Sequence, residues 1–209
     1  MKVLVTGFGP FPRVLRNPTE ALVEGLPDRL GPARLVRRVL PTVYAACETE
    51  IEILLRDQRP DVCLCFGVAG PGVIRLETTA RNRGLNDGPD QSGAVKTDAI
   101  ATEGPETYAS TLPLAEIAEA LTAEGVPHEY SDDAGGYVCN HLFYAARHAV
   151  ARHGLATACG FVHVPEVRPE VGWAAEIAAF DAAARVILGV LAERSDLGAG
   201  VAAAEHRRA

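Results

Sequence analysis

The stretch Cys139–Val164, CNHLFYAARHAVARHGLATACGFVHV, contains the two patterns that decide the fold. Its first part has apolar residues three and four positions apart, which predicts an amphipathic helix over Cys139–His153. Gly154 follows and is typical of a helix C-terminus. The second part, Cys159–Val164, is a short apolar run stopped by Pro165 and predicts a buried strand. A helix that leads directly into a buried strand is the repeating unit of an α/β protein.

The same alternation continues on both sides of this stretch. Asn17 is a good N-cap, with Pro at the next position, and begins a helix that we expect to end near Gly25. Segment 81–94 is rich in Gly and polar residues and predicts a long loop. These patterns indicate a single α/β domain with a mostly parallel sheet. The other predicted strands are Lys2–Thr6, Leu35–Leu40, Asp61–Phe66, Ile74–Ala80 and His128–Ser131, and the other predicted helices are Val43–Arg56, Leu114–Glu124 and Glu176–Glu193.

Composition and charge exclude several classes of function. The net charge is −7, which disfavours sequence-independent binding of nucleic acid. No apolar stretch is long enough to span a membrane, and the first residues lack a secretory apolar core, so we expect a cytoplasmic protein. The five cysteines do not form a disulfide pattern. Cys63 and Cys65 are predicted to be buried thiols on one face of a strand.

Cys139 is the candidate nucleophile. Gly135 and Gly136 lead into it, and the amphipathic pattern begins at or just after it, which places it in the first turn of a helix. There the free backbone N–H groups and the helix dipole favour the thiolate, the nucleophilic form of cysteine. Neighbouring N–H groups can also form an oxyanion hole. Position alone favours a small buried residue at a helix start, and the accompanying residues favour the nucleophile.

The candidate base is His163, near the C-terminal end of a predicted strand, where open α/β sheets build their sites. His141 competes, but residues two apart on a helix do not face each other, so it is a weaker partner for Cys139. A third group should orient the imidazole, and Glu77 is our choice. The alternative for Glu77 is an exposed carboxylate at a strand end.

The first loop carries two aromatic residues, Phe8 and Phe11, interleaved with prolines. The glycine spacing of a dinucleotide-binding turn is absent from it. Its aromatic residues are expected either to pack over the end of the sheet or to line a pocket for a small, neutral, flat group.

Several segments together resemble the pyroglutamyl peptidase I (pyrrolidone-carboxylate peptidase) family of cysteine peptidases, over about residues 1–195. The blocks around Cys139 and His163 are the most specific, and they occur in the family's order. The segments are VLVTGFGPF (Val3–Phe11), NPTEA (Asn17–Ala21), LPTVY (Leu40–Tyr44), GVAG (Gly67–Gly70), EGPETYASTLP (Glu103–Pro113), AGGYVCNHLFY (Ala134–Tyr144) and GFVHVP (Gly160–Pro165).

This resemblance implies a three-layer α/β/α sandwich and a catalytic Cys139–His163–Glu77 triad. It implies that Phe8 and Phe11 flank the pyroglutamyl ring, and that the enzyme removes N-terminal pyroglutamyl residues from small peptides. It further implies a homo-oligomer, a tetramer or a dimer, with no metal or organic cofactor. The acidic net charge and the lack of a long apolar stretch predict no nucleic-acid or membrane partner. Residues 196–209 are expected to form a flexible C-terminal tail.

Segment 78–93 and Val68 depart from the family's pattern, because an arginine and a glutamine common in the family are missing. Two alternatives therefore stay open. One is a related thiol amidohydrolase with shifted specificity, and the other is a non-catalytic binding protein on the same fold.

Overall fold

A computed structural model describes residues 1–11 and 14–194. The domain boundary predicted at residue 195 and the flexible tail predicted for 196–209 lie outside the described residues. The helices are α1 (Pro18–Gly25), α2 (Tyr44–Gln58), α3 (Leu114–Ala123), α4 (Val138–Arg152) and α5 (Trp173–Glu193). The strands are β1 (Lys2–Phe8), β2 (Arg29–Leu30), β3 (Ala33–Leu40), β4 (Val62–Val68), β5 (Ile74–Glu77), β6 (Thr79–Arg81), β7 (Thr107–Ala109), β8 (His128–Ser131) and β9 (Ala158–Val164).

Seven of these strands form one sheet in the order β2-β3-β1-β4-β9-β5-β8. The centre is parallel, since β1 pairs with β3 and β4, and β4 pairs with β9, all in the same direction. Strand β5 is antiparallel to β9 and parallel to β8. The prediction of a mostly parallel sheet is confirmed. The parallel strands place their C-terminal ends at one edge, where α/β proteins build their sites.

Two apolar clusters, one on each face of the sheet, make the fold a three-layer α/β/α sandwich, as predicted. One cluster joins the sheet to α1, α3 and α5, and the other joins it to α2 and α4. Odd-numbered residues of β9 face the second cluster and even-numbered ones face the first, because successive side chains of a strand point to opposite faces. His163 therefore lies on the same side of the sheet as α4.

The predicted strand Ile74–Ala80 is interrupted at Thr78. The main-chain N–H of Thr78 donates to the carbonyl of Ser131 in the large sheet, whereas its carbonyl accepts from Ser110 next to β7. The chain thus leaves the large sheet at Thr78, and β6 forms a two-stranded antiparallel ribbon with β7. An alternating apolar pattern fixes which side chains share a face but not which strand is the neighbour.

Four of the five cysteines, all except Cys139, are buried in the core. Cys63 and Cys65 lie on one face of β4 with their Sγ atoms 3.8 Å apart, as the strand pattern predicts. All five cysteines are free thiols. No helix among the described residues has the length and apolar character needed to cross a membrane.

Candidate active site

Cys139 lies in the first turn of α4, the position that the sequence predicts. Gly135 precedes the helix with a φ of +84°, a left-handed conformation that a residue with a side chain rarely adopts. Tyr137 is the N-cap residue and its side chain does not cap the helix. Cys139 is partly exposed, whereas the other four cysteines are buried. It is therefore the thiol of the described chain that reagents or substrates can reach most readily.

His163 and Glu77 form a buried pair at the same edge of the sheet. The Nδ1 atom of His163 is 2.7 Å from Oε1 of Glu77, and the two residues are 4% and 0% exposed. They belong to neighbouring antiparallel strands, in which Glu77 is opposite Phe161 and Arg75 is opposite His163. Glu77 and His163 are thus diagonal neighbours on one face. The structure brings the predicted acid and base together, and Glu77 is not an exposed strand-end carboxylate.

The pKa of His163 reflects these surroundings. Burial favours the neutral imidazole, but the adjacent Cys139 sulfur and the Glu77 carboxylate outweigh it and raise the pKa of His163 to about 9. The Cys139 side chain is close enough to His163 to raise the pKa of the imidazole both as a hydrogen-bonding neighbour and as a charged one. The charged imidazolium is therefore the favoured form near neutral pH.

Gly67, the first residue of the GVAG segment, lies against Cys139, a contact that the sequence pattern did not predict. It lies in β4 directly opposite His163 of β9. A Cβ atom at Gly67 would lie 2.8 Å from the Sγ of Cys139 and 2.7 Å from the Cζ of Phe161. Only a residue without a side chain leaves room there for the sulfur. The local pattern shows a glycine after a strand, but the close approach depends on α4 and β9.

A cavity of about 440 Å³ opens beside Cys139 and His163. Phe8 and Phe11 both line it, so both predicted aromatic residues lie at the site. Phe8 is 2% exposed, and Phe11 is half-buried with its ring 5.8 Å from that of Tyr137. The aromatic rings give one side of the cavity an apolar wall.

Side-chain to main-chain hydrogen bonds hold two loops at the cavity. Asn17 accepts a hydrogen bond from the main-chain N–H of Thr19, as a helix N-cap should, and its amide donates to the carbonyl of Gly9 in the first loop. Asp87, in the long loop that the sequence predicts, accepts a 2.9 Å hydrogen bond from the N–H of Gly136. The long loop thereby packs against the segment that precedes Cys139.

The other histidines of α4 lie away from the cavity. His141 is buried with its Nε2 atom 2.9 Å from Oε2 of Glu48, so it is not the partner of Cys139. His153 is exposed. His148 is half-buried beside Tyr108, whose hydroxyl lies 3.1 Å from its Nδ1, and burial lowers the pKa of His148.

Within residues 1–11 and 14–194, no cluster of three or more His, Cys, Asp or Glu side chains could hold a metal ion. The reactive groups at the cavity are instead a thiol at a helix N-terminus and a buried imidazole–carboxylate pair. On an α/β sandwich this arrangement is typical of a cysteine peptidase.

Comparisons with known proteins give the family. The sequence profile described as "Pyroglutamyl peptidase" matches residues 1–179. Pyrrolidone-carboxylate peptidase 1 of Ralstonia nicotianae is 41% identical over 166 residues, which cover 78% of this chain and 77% of the relative. The corresponding enzyme of Pyrococcus furiosus is 36% identical over 174 residues, 82% of this chain and 84% of that one.

Solved structures agree. Pyroglutamyl peptidase I of Bacillus amyloliquefaciens superposes with a TM-score of 0.85 at 30% identity, covering 92% of this chain and 95% of that one. A mutant pyrrolidone carboxyl peptidase of P. furiosus gives a TM-score of 0.82 at 32% identity, with 90% and 99% coverage. The chain belongs to the pyroglutamyl peptidase family and is a hydrolase of that type.

Proposed function

We propose that this protein hydrolyses the amide bond after an N-terminal pyroglutamyl residue, with Cys139 as nucleophile, His163 as acid and base, and Glu77 as the group that orients the imidazole. One observation carries the proposal. The accessible thiol at the start of α4 shares a cavity with His163, whose Nδ1 lies 2.7 Å from Glu77. Family membership supports the substrate class.

The reaction would run through an acyl-enzyme. The Cys139 thiolate attacks the carbonyl carbon of the amide bond that follows the pyroglutamyl residue, and backbone N–H groups in the first turn of α4 stabilise the oxyanion. His163 gives its proton to the leaving nitrogen, the C–N bond breaks, and a thioester remains. His163 then takes a proton from water, which attacks the thioester, releases pyroglutamate and restores the thiolate.

The apolar wall suits the substrate. Pyroglutamate is a lactam without the charged α-amine of an ordinary N-terminus, so its site needs apolar surfaces and a few hydrogen bonds but no anchoring carboxylate. Phe8 and Phe11 provide such surfaces in the cavity. We propose that they flank the lactam ring.

A fluorogenic pyroglutamyl amide tests this function. Wild-type protein in reducing buffer should release the fluorophore, and Cys139→Ala should abolish turnover with the fold retained by circular dichroism. Cys159→Ala is the matched control, because this thiol is fully buried in β9 and should not be needed for turnover. Failure of the folded wild type to turn over the amide would reject the proposal.

A panel of other N-blocked amides tests the alternative of shifted specificity, since the proposed function requires the pyroglutamyl compound to be hydrolysed fastest.

Thiol labelling separates an enzyme from a non-catalytic binding protein. Near pH 7 an activated Cys139 should react with iodoacetamide at least about tenfold faster than the four buried cysteines, as followed by peptide mass spectrometry. Equal, slow labelling of all five would favour the binding protein.

Cytoplasmic location and assembly as a homotetramer or dimer are further proposals, and light scattering after gel filtration tests the assembly.

A further inference from the structure

Arg75 lies directly beside the proposed general base. It is the residue opposite His163 in the antiparallel pairing of β5 with β9. Residues directly opposite each other in such a pair have their side chains on the same face and close together. Arg75 therefore lies on the same face of the sheet as His163 and Glu77. It is nearer than Glu77 to the edge of the sheet where β9 ends, and it lines the cavity.

The guanidinium of Arg75 retains binding capacity. Its Nε atom is 2.8 Å from Oε1 of Glu129 on β8, and the side chain is 33% exposed. Its Nη2 atom would be 3.7 Å from a Cβ at Gly72, so it extends over the connection between β4 and β5. The two terminal nitrogens form no hydrogen bond with any residue that the structure describes. A guanidinium can bind a second carboxylate through these nitrogens while Nε stays paired.

The proposed chemistry defines which part of the substrate lies here. His163 must give its proton to the leaving nitrogen, so the residue after pyroglutamate lies over His163 and not against the aromatic wall. Glu166 also borders the cavity, just after the end of β9, and is exposed without an ion-pair partner among the described residues. In the part of the chain that the structure describes, the cavity lining thus contains one permanent cation, Arg75, and an unpaired anion, Glu166, whereas its other two acids, Asp87 and Asp133, are already held by Gly136 and Arg83.

We propose that Arg75 is a specificity-determining residue that favours leaving residues with a carboxylate, and that Glu166 opposes this preference. The inference rests on the proposed peptidase function. A carboxylate on the leaving residue has two sources, an acidic side chain or the free α-carboxylate of a pyroglutamyl dipeptide. Both can reach a guanidinium that lies beside the proton donor.

Two pairs of substrates distinguish these sources. Pyroglutamyl-glutamate amide is compared with pyroglutamyl-glutamine amide for the side chain, and pyroglutamyl-alanine is compared with its amide for the α-carboxylate. The measured quantity is the ratio of kcat/KM, charged over neutral, within each pair. A ratio within one variant is insensitive to the fraction of correctly folded enzyme.

Arg75→Gln should lower at least one ratio by about three- to tenfold, which is the range for a partly exposed charge-assisted contact. Arg75→Lys should lower it less, because the charge remains. Glu166→Gln should raise the same ratio by about two- to threefold. The matched control is Arg34→Gln, since Arg34 is exposed near the start of β3, at the opposite end of the sheet from the cavity.

Unchanged ratios in Arg75→Gln would overturn the inference, and so would equal falls in Arg75→Gln and Arg34→Gln, which would reflect net charge alone. The effect of Arg75→Gln should shrink in about 0.5 M salt, because exposed charges are screened. If the wild type turns over none of the four peptides, the proposed function fails, and this inference fails with it.

Discussion

Replacing Glu77 by glutamine tests the central pair of the site, because it removes the charge and keeps the size of the side chain. Glu77 is fully buried and its Oε1 lies 2.7 Å from Nδ1 of His163. A carboxylate only accepts hydrogen bonds, so it keeps the proton on Nδ1 of the neutral ring and leaves Nε2 available for the substrate side. A glutamine amide can also donate, and it then stabilises the wrong tautomer.

The size of the effect follows from the hydrogen bond. A bond to a charged group contributes about 1.5–3 kcal/mol, and 1.36 kcal/mol corresponds to one pKa unit. Glu77→Gln should therefore lower the pKa of His163, which is about 9 in the wild type, by about one to two units. His163 must be protonated to release the leaving amine, so activity is lost as pH rises through this pKa. The alkaline limb of the variant should move to lower pH by the same amount, and kcat/KM should fall by about 10²- to 10⁴-fold.

The assay is kcat/KM for a fluorogenic pyroglutamyl amide between pH 5 and about pH 10. Glu48→Gln is the matched control, because Glu48 makes the same kind of contact with His141 at 2.9 Å, away from the cavity. It should leave the alkaline limb unshifted. If Glu77→Gln keeps more than about a third of the activity with an unshifted limb, the orienting role of Glu77 is refuted.

Two further substitutions test the frame of the site. Gly67→Ala places a Cβ 2.8 Å from the Cys139 sulfur and should reduce kcat by about 10²-fold or more. Gly25→Ala is the control and should leave kcat unchanged, because its Cβ meets no atom within 4 Å. Equal kinetics for both variants would contradict the close approach of Gly67 to the sulfur. Asn17→Ala removes the helix-capping hydrogen bond to the N–H of Thr19. It should lower the free energy of unfolding, measured in urea, by about 1–2 kcal/mol. No change in the midpoint of unfolding would show that the cap is dispensable.

Local pattern was sufficient for the elements that carry the nucleophile and the base. The helix that begins near Cys139 and the buried strand that contains His163 were predicted to within a residue or two, because helical spacing, glycines before the first turn and a proline after the last strand act over a few residues. The helix start at Asn17 follows from the same kind of short-range chemistry. Cys139, His163 and Glu77 were each chosen from the residues around them, and the family resemblance then implied that they form one triad.

The tertiary structure alone decided the neighbours across the sheet. The antiparallel pairing of β5 with β9 puts Glu77 diagonally beside His163 and Arg75 directly opposite it, and β4 brings Gly67 under the Cys139 sulfur. These contacts join residues far apart in the chain, and an alternating strand pattern does not specify which strand it pairs with or in which direction. The sequence therefore determined which residues can do the chemistry, and strand order determined which of them meet.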